Sequence, residues 1–252
     1  MKESETRFTV EALVIKEMNV GEHDRLITLF TRESGLLRAF AAGAKSIKSK
    51  KGAATALLTY GSFTIQKKKD SYRVTEATPI RVFFGAGSDI EVLTLAQYFC
   101  ELCDVFGTAG VSDAEFFRLI LNSLHFLTAE KRSPALIKAV TELRAAVISG
   151  YMPDLVACGE CGKFDDDVMA FDVQGGVLFC GEHRAAAVRP VLIDRTLLSA
   201  LRHIVYAEFA KLYAFSVPED AARRLSEITG QYITLQTDHR FKTLEFYENL
   251  FQ

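Results

Sequence analysis

The chain has 252 residues, 49% of them apolar and 25% charged, with five cysteines and a formal net charge of −2. That length exceeds one typical domain, and the balance is that of an ordinary globular protein, which excludes disordered and fibrous classes. No apolar run approaches the roughly eighteen residues of a membrane span, the start "MKESETRF" lacks a secretory apolar stretch, and an odd cysteine count does not suit a secreted disulfide framework. Reduced thiols and a cytoplasmic location are expected.

Residues 1–80 read as strands. "RFTVEALVIKEMNV" is rich in β-branched residues and partly alternates; "EHDRLITLFTRESG" and "LLRAFAAGAK" follow, each closed by a glycine-bearing turn. After a long loop come "TALLTYGSFTIQKKK" and "SYRVTEATPI", parted by a Lys-Asp-Ser turn. Five short strands with one longer loop predict a small closed barrel, an OB-fold first and an SH3-like barrel second. This region holds 14 Lys and Arg against nine Asp and Glu, a net of +5, while the remaining residues carry −7. Within 35–73 the basic residues number nine and the only acid is Asp70. An excess of that kind points to a polyanion partner.

From about Ser88 the period changes to that of helices. "SDIEVLTLAQYFCELCDVF" carries apolar residues at helical spacing behind Ser88 or Asp89 as cap. "SDAEFFRLILNSLHFL" opens with Ser112 and Glu115 at capping-box spacing, and "SPALIKAVTELRAAVISG" has a proline in its first turn and ends at Gly150. Later helices are predicted over 194–214, 218–236 and about 240–250.

The stretch between the third and fourth helices, about 151–190, is not helical and contains "C158-GE-C161" and "C180-GE-H183", eighteen residues apart. Two such knuckles are the pattern of a structural zinc site, with Cys158, Cys161, Cys180 and His183 as the four ligands and no open position for a reactive water. Asp165, Asp166 and Asp167 between the knuckles read as a solvated turn. Cys100 and Cys103 lie inside a helical pattern with no partner knuckle and read as core thiols. The chain has no H-x-E element, HExxH, GxSxG or P-loop, and its five histidines are scattered, so no catalytic constellation is present and no enzymatic activity is expected.

Two blocks now point to a family: G-E-x-D-x-L-I-T-L-F-T-x-x-x-G at 21–35, and G-Y-x-P-x-L-x-x-C-x-x-C-G at 150–162. Together with the order of the parts, they resemble the bacterial DNA repair and recombination mediator family RecO along nearly the whole chain. The resemblance implies an α+β protein: an N-terminal OB-fold over 1–80, then a helical domain (81–150 and 191–252) with a zinc-binding module inserted at 151–190. It implies binding of single- and double-stranded DNA, strand annealing, and recombinase loading with RecR and the single-strand binding protein. Most zinc-bearing members close the site with a fourth cysteine, where this chain has His183.

On that fold the basic residues form an expected nucleic-acid path. Lys45, Lys48, Lys50 and Lys51 lie on the long barrel loop and Lys67, Lys68 and Lys69 on a second turn, with Arg25, Arg38 and Arg73 extending the line. Tyr60, Phe63 and Tyr72 are either stacking residues or barrel core. The single-strand binding protein's acidic, apolar C-terminal tail is expected on the helical region, provided Arg118, Lys131, Arg132, Lys138 or Arg144 cluster there. The alternative reading is a protein-interaction adaptor whose acidic helical domain is the main functional surface.

Overall fold

The computed structural model describes residues 6–46, 49, 51–69, 71–84, 88–129 and 132–251. Its elements give a mixed α+β protein, strand-rich first and then helical. β1 (Thr6–Val20), β2 (Asp24–Thr31), β3 (Gly35–Ala41), β4 (Thr59–Lys68) and β5 (Ser71–Val82) close into a barrel in the order β1-β2-β3-β5-β4. β1 serves two neighbours: residues 6–13 run antiparallel to β4, and beyond a bulge between Val14 and Lys16 the strand continues along β2. Such a bulge bends a strand enough to wrap a barrel. One parallel contact, Phe40 opposite Arg73, joins β3 to β5. Period-2 alternation turns Val10, Ile27, Leu29, Leu37, Phe63 and Ile65 inward to a common core.

The chain forms two compact units, Met1–Thr128 and Ala129–Gln252, a division inside the predicted helical stretch 81–150. α1 (Ile90–Phe106) and α2 (Ala114–Thr128) therefore share a unit with the barrel. Asp89 caps α1, its carboxylate accepting from the amides of Glu91 and Val92. The capping box predicted for α2 does not form. Asp113 accepts from the Phe116 amide at 2.9 Å, while the Ser112 hydroxyl donates to the Arg32 carbonyl. Tertiary attachment has taken the serine, and the neighbouring aspartate fills the cap. Gly35 fixes the same segment from below: it has φ +57°, and a Cβ there would stand 2.0 Å from the Thr108 carbonyl oxygen. Only glycine tolerates both conditions.

In the second unit α3 (Pro134–Ile148) packs against α5 (Glu219–Thr237), with α4 (Arg195–Tyr206) and α6 (Lys242–Phe251) beside them. α4 is shorter than predicted, ending at Tyr206 with Ala207 extended. Its last carbonyls are answered by Arg144 of α3, which donates to Val205 at 3.0 Å and to Ala207 at 3.3 Å. The segment predicted as non-helical is a four-stranded sheet in the order β6-β8-β7-β9, made of β6 (Asp154–Cys158), β7 (Val168–Asp172), β8 (Val177–Phe179) and β9 (Pro190–Asp194). β6 and β8 are parallel and the other pairs antiparallel.

Asp172, at the end of β7, ties this sheet to the loop before β9. It is 4% exposed and accepts from the amides of Gln174, Val188 and Arg189. Burial alone would raise its pKa, but the convergent amides outweigh that and hold it below the ordinary carboxylate value. Asp172→Asn is expected to destabilise the unit by about 1–3 kcal/mol, because hydrogen bonds to a charged acceptor are lost. In the native protein this contribution is complete above the unfolded aspartate pKa of about 3.9 and disappears as pH falls through the lower folded value. Thermal melts of wild type and variant should therefore differ at neutral pH and converge in strong acid.

Candidate metal centre and nucleic-acid interface

Cys158 ends β6, Cys161 follows it in a tight turn, and Cys180 and His183 follow β8, so the parallel β6–β8 pairing brings the two knuckles side by side. The Gly159 amide donates to the Leu178 carbonyl at 2.8 Å and locks the strands together at the knuckles. Within each knuckle the backbone folds back on itself, Gly162 N–H to Cys158 carbonyl and His183 N–H to Cys180 carbonyl. The four ligand atoms lie within 4.8 Å of one another. Cys161 Sγ is 3.8 Å from Cys180 Sγ, and His183 Nδ1 is 3.2 Å from Cys180 Sγ and 3.9 Å from Cys158 Sγ.

These separations suit one ion. With metal bonds of about 2.3 Å to sulfur and about 2.0–2.1 Å to nitrogen, the edges of a tetrahedron are about 3.5–3.8 Å. Burial raises the thiols of Cys158 and Cys180, yet backbone amides aimed at each sulfur prevail and bring both below the usual thiol value. For Cys161 the amide of Lys163 favours the thiolate, but burial and the neighbouring Cys158 and Cys180 push it up. A cation between the sulfurs would relieve that competition, since it stabilises all three thiolates together. The Cys3His set could thus hold a metal ion with His183 as fourth ligand.

The surroundings hold the ligands in place. Asp166 accepts from the Gly181 amide at 3.1 Å and pairs with Lys163 at 3.0 Å, so it braces the second knuckle from the first. Asp165 and Asp167 face Arg195. Arg202 of α4 has no signature in the sequence. It donates to the carbonyls of Leu155, Val156 and Phe164 and lies 4.0 Å from the Phe164 ring centre, clasping both sides of the first knuckle. Cys100 and Cys103 are core thiols as expected, and burial raises the pKa of Cys100 to about 12.

The barrel places the predicted basic residues unevenly. Arg25, just past the β1–β2 turn, pairs with Ala41 at the end of β3, and Phe40 pairs with Arg73 near the start of β5. Lys67, Lys68 and Lys69 at the β4–β5 turn are exposed, with the Lys67 ammonium 5.5 Å from the Tyr72 ring centre. Arg73 is exposed over Phe40, and Arg38 is exposed on the outer side of β3. Lys45 is exposed at the start of the loop, its amide bonded to the His23 carbonyl. Lys51 is half-buried; Lys48 and Lys50 lie outside the described residues.

Arg25 turns to the loop itself. It donates to the Gly52 carbonyl at 3.0 Å and Thr55 Oγ1 at 3.3 Å and stands 3.6 Å from Glu17, which accepts from the Leu57 amide. With Ala44 and Ala54 buried in the barrel core, the long loop is pinned at several points. Arg25→Ala is expected to speed hydrogen exchange of the amides around Thr55 while leaving the barrel strands protected. Unchanged protection of the loop would mean that the buried alanines alone hold it.

Among the aromatic candidates, Phe63 is barrel core. Tyr60 donates to Glu11 and lies edge-on to Phe117; burial first, and then the Glu11 bond, raise its pKa to about 12. Tyr72 is half-buried against Phe8. Three of the cations invoked for an acidic tail have partners within the second unit. Lys138 is fully buried between Glu142 and the Ser226 carbonyl, Arg132 donates to the Phe215 carbonyl, and Arg144 caps α4. Lys131 lies outside the described residues. No helix among those described is long and apolar enough to cross a membrane.

Comparison with known proteins is consistent along the chain. The family model described as recombination protein O N terminal matches residues 1–83, and that described as recombination protein O C terminal matches residues 87–245. The DNA repair protein RecO of Acetivibrio thermocellus is 31% identical over 238 residues, 94% of this chain and 95% of that one. The protein of the same name from Desulfitobacterium hafniense is 29% identical over 234 residues, covering 91% and 85%. That from Desulforamulus reducens is 26% identical over 246 residues, covering 97% and 95%.

Proposed function

The chain belongs to the RecO family of recombination repair proteins, and from that premise we propose that it is a DNA-binding mediator without catalytic turnover. The observation that carries this reading is the exposure of Lys45, Lys67, Lys68, Lys69 and Arg73 on the long loop, the β4–β5 turn and the start of β5, in a region, 1–80, whose net charge is +5. We assign the barrel as an OB-fold, on its strand order and the single parallel contact of β3 with β5. Flexible ammonium groups on turns contact phosphate as point charges, so binding is independent of base sequence and extends to single and double strands. Neutralising phosphate along two strands at once also favours annealing.

The metal in the second unit is zinc in a closed structural site, because three thiolates and one imidazole at these separations match its ligand preferences and leave no vacant position. Its part is to hold the small sheet together. RecR and the single-strand binding protein are the partners that family membership suggests, in the cytoplasm. Fluorescence anisotropy of the full chain with unrelated oligonucleotides across a salt series tests the core of the reading. Expected are saturable binding at low salt, little dependence on sequence, and log affinity falling linearly with log salt. No binding at low salt would overturn it.

A further inference from the structure

In the second unit, α5, α6 and the start of β9 line a pocket of about 460 Å3. Val173, Val188, Pro190 and Val191 give it an apolar wall on the sheet side, and Gly230, Thr234 and Leu235 of α5 line it from the helices. Glu248 of α6 reaches the same pocket. Gly230 is what admits that carboxylate. A Cβ there would stand 3.2 Å from Glu248 Oε1, 3.0 Å from Lys138 Nζ and 3.6 Å from Glu142 Oε1. The pocket therefore backs onto the buried Lys138–Glu142 pair.

The charges at its inner end do not balance. The Lys138 ammonium is 3.0 Å from Glu142 and also donates to the Ser226 carbonyl, so it is already committed. Glu245 is held by Arg240 at 2.6 Å and Glu227 by Arg224 at 2.8 Å. Glu248 is half-buried and makes no hydrogen bond or ion pair among the described residues. Burial raises its pKa, and the carboxylates of Glu142, Glu245 and Glu227 add to the rise against one opposing ammonium, Lys138. Arg189, on the sheet-side wall, is exposed and does not pair with it.

We propose that this pocket takes one basic side chain, an arginine first and a lysine second, presented by a partner protein, with its stem along the valines and its cationic head on Glu248. A half-buried carboxylate without a partner is costly, and a cation brought to it out of water offsets that cost. Arginine and lysine bury their methylene stems on apolar surface while the head seeks a polar group. The planar guanidinium adds two parallel bonds to one carboxylate, which an ammonium cannot. A protein suits the site better than a free cation because apolar surface continues outside it, with Val188 71% and Leu192 51% exposed. Arg189 repels a second positive charge, so an isolated basic residue is selected over a polybasic run. None of the barrel cations takes part, and the DNA-binding reading stands or falls separately.

The test is an NMR titration of the full chain with n-propylguanidinium, the end of an arginine side chain, and with the peptide acetyl-Gly-Arg-Gly-amide. Both should give saturable shifts at the amides of Gly230, Gln231 and Val191, and n-pentanol, of similar length but uncharged, should give none at the same concentration. Methylguanidinium should bind about tenfold more weakly, since two buried methylenes are lost. Glu248→Gln should weaken both guanidinium probes about tenfold or more, as a charged hydrogen-bond partner is removed. That variant loses no internal hydrogen bond and should fold, which circular dichroism checks. The wild type alone supplies a second measurement: affinity should fall as pH is lowered through the raised Glu248 value, while the guanidinium keeps its charge. Asp172, bonded to the Val188 and Arg189 amides beside the pocket, stays ionised over that range because its own pKa is lowered. Absent saturation, shifts that map elsewhere, or equal affinity in Glu248→Gln would overturn the proposal. So would a pocket that accepts free n-propylguanidinium but excludes the peptide, because a partner protein could not then be the occupant.

Discussion

Cys180→Ser is expected to abolish metal retention and to unfold the four-stranded sheet of the second unit. Cys180 is fully buried and its sulfur stands close to both Cys161 Sγ and His183 Nδ1, so its loss opens the quartet at the centre. The strands are three to five residues long, and the β6–β8 pairing, Asp166 and Arg202 position the knuckles without linking the four ligand side chains. Where metal binding and folding are coupled, a structural zinc contributes on the order of 10–16 kcal/mol at neutral pH, far more than a pairing of this size. His183→Cys should retain the metal, because it supplies a fourth thiolate. Elemental analysis of protein purified without chelator, with hydrogen exchange over residues 151–194, reads both outcomes. About one zinc per chain is expected for the wild type and His183→Cys, and none for Cys180→Ser. A folded wild type free of zinc would reject the assignment.

Changing Lys45, Lys48, Lys50 and Lys51 together to alanine is expected to weaken DNA binding equally for unrelated sequences. Each phosphate contact on a single strand contributes about 0.7 to the slope of log affinity against log salt. Four contacts amount to a slope change of about 2.8, or a few hundredfold across a tenfold range of salt. Thermal stability should barely move. The loop is held by Arg25, Glu17 and the buried Ala44 and Ala54, and Lys51 contributes its backbone carbonyl, which alanine keeps. An unchanged affinity and slope would make the loop a solvated hairpin. A loss confined to one sequence would mean that the loop reads bases.

Much of the candidate chemistry was legible because it is written over short distances. The two-residue spacers of the knuckles, the proline that opens α3 and the alternation of β3 and β4 are properties of contiguous residues. The basic excess of 35–73 was equally plain, but its division of labour was not. Arg25 looks like any other cation on a strand, and only the return of the loop over β2 makes it an anchor. Arg202 stands in a helix without a motif, and its three carbonyl partners lie 38 to 47 residues away.

By itself, then, the sequence determined the barrel strands, the helices, their order and the Cys3His cluster, since periodicity and ligand spacing act along the chain, while the small sheet was legible only as a non-helical stretch. The tertiary structure alone decided which polar groups face water. Lys138 and Glu142 have the i, i+4 spacing of an ordinary surface pair, yet both are fully buried because α5 covers them and supplies the Ser226 carbonyl and the Thr229 hydroxyl. Ser112 has the spacing of a cap, yet it serves the Arg32 carbonyl instead. Arg73 comes to lie over the Phe40 ring only because β5 returns parallel to β3. In each case the partner lies tens of residues away, and a polar side chain's free energy depends on whether water or that partner satisfies it.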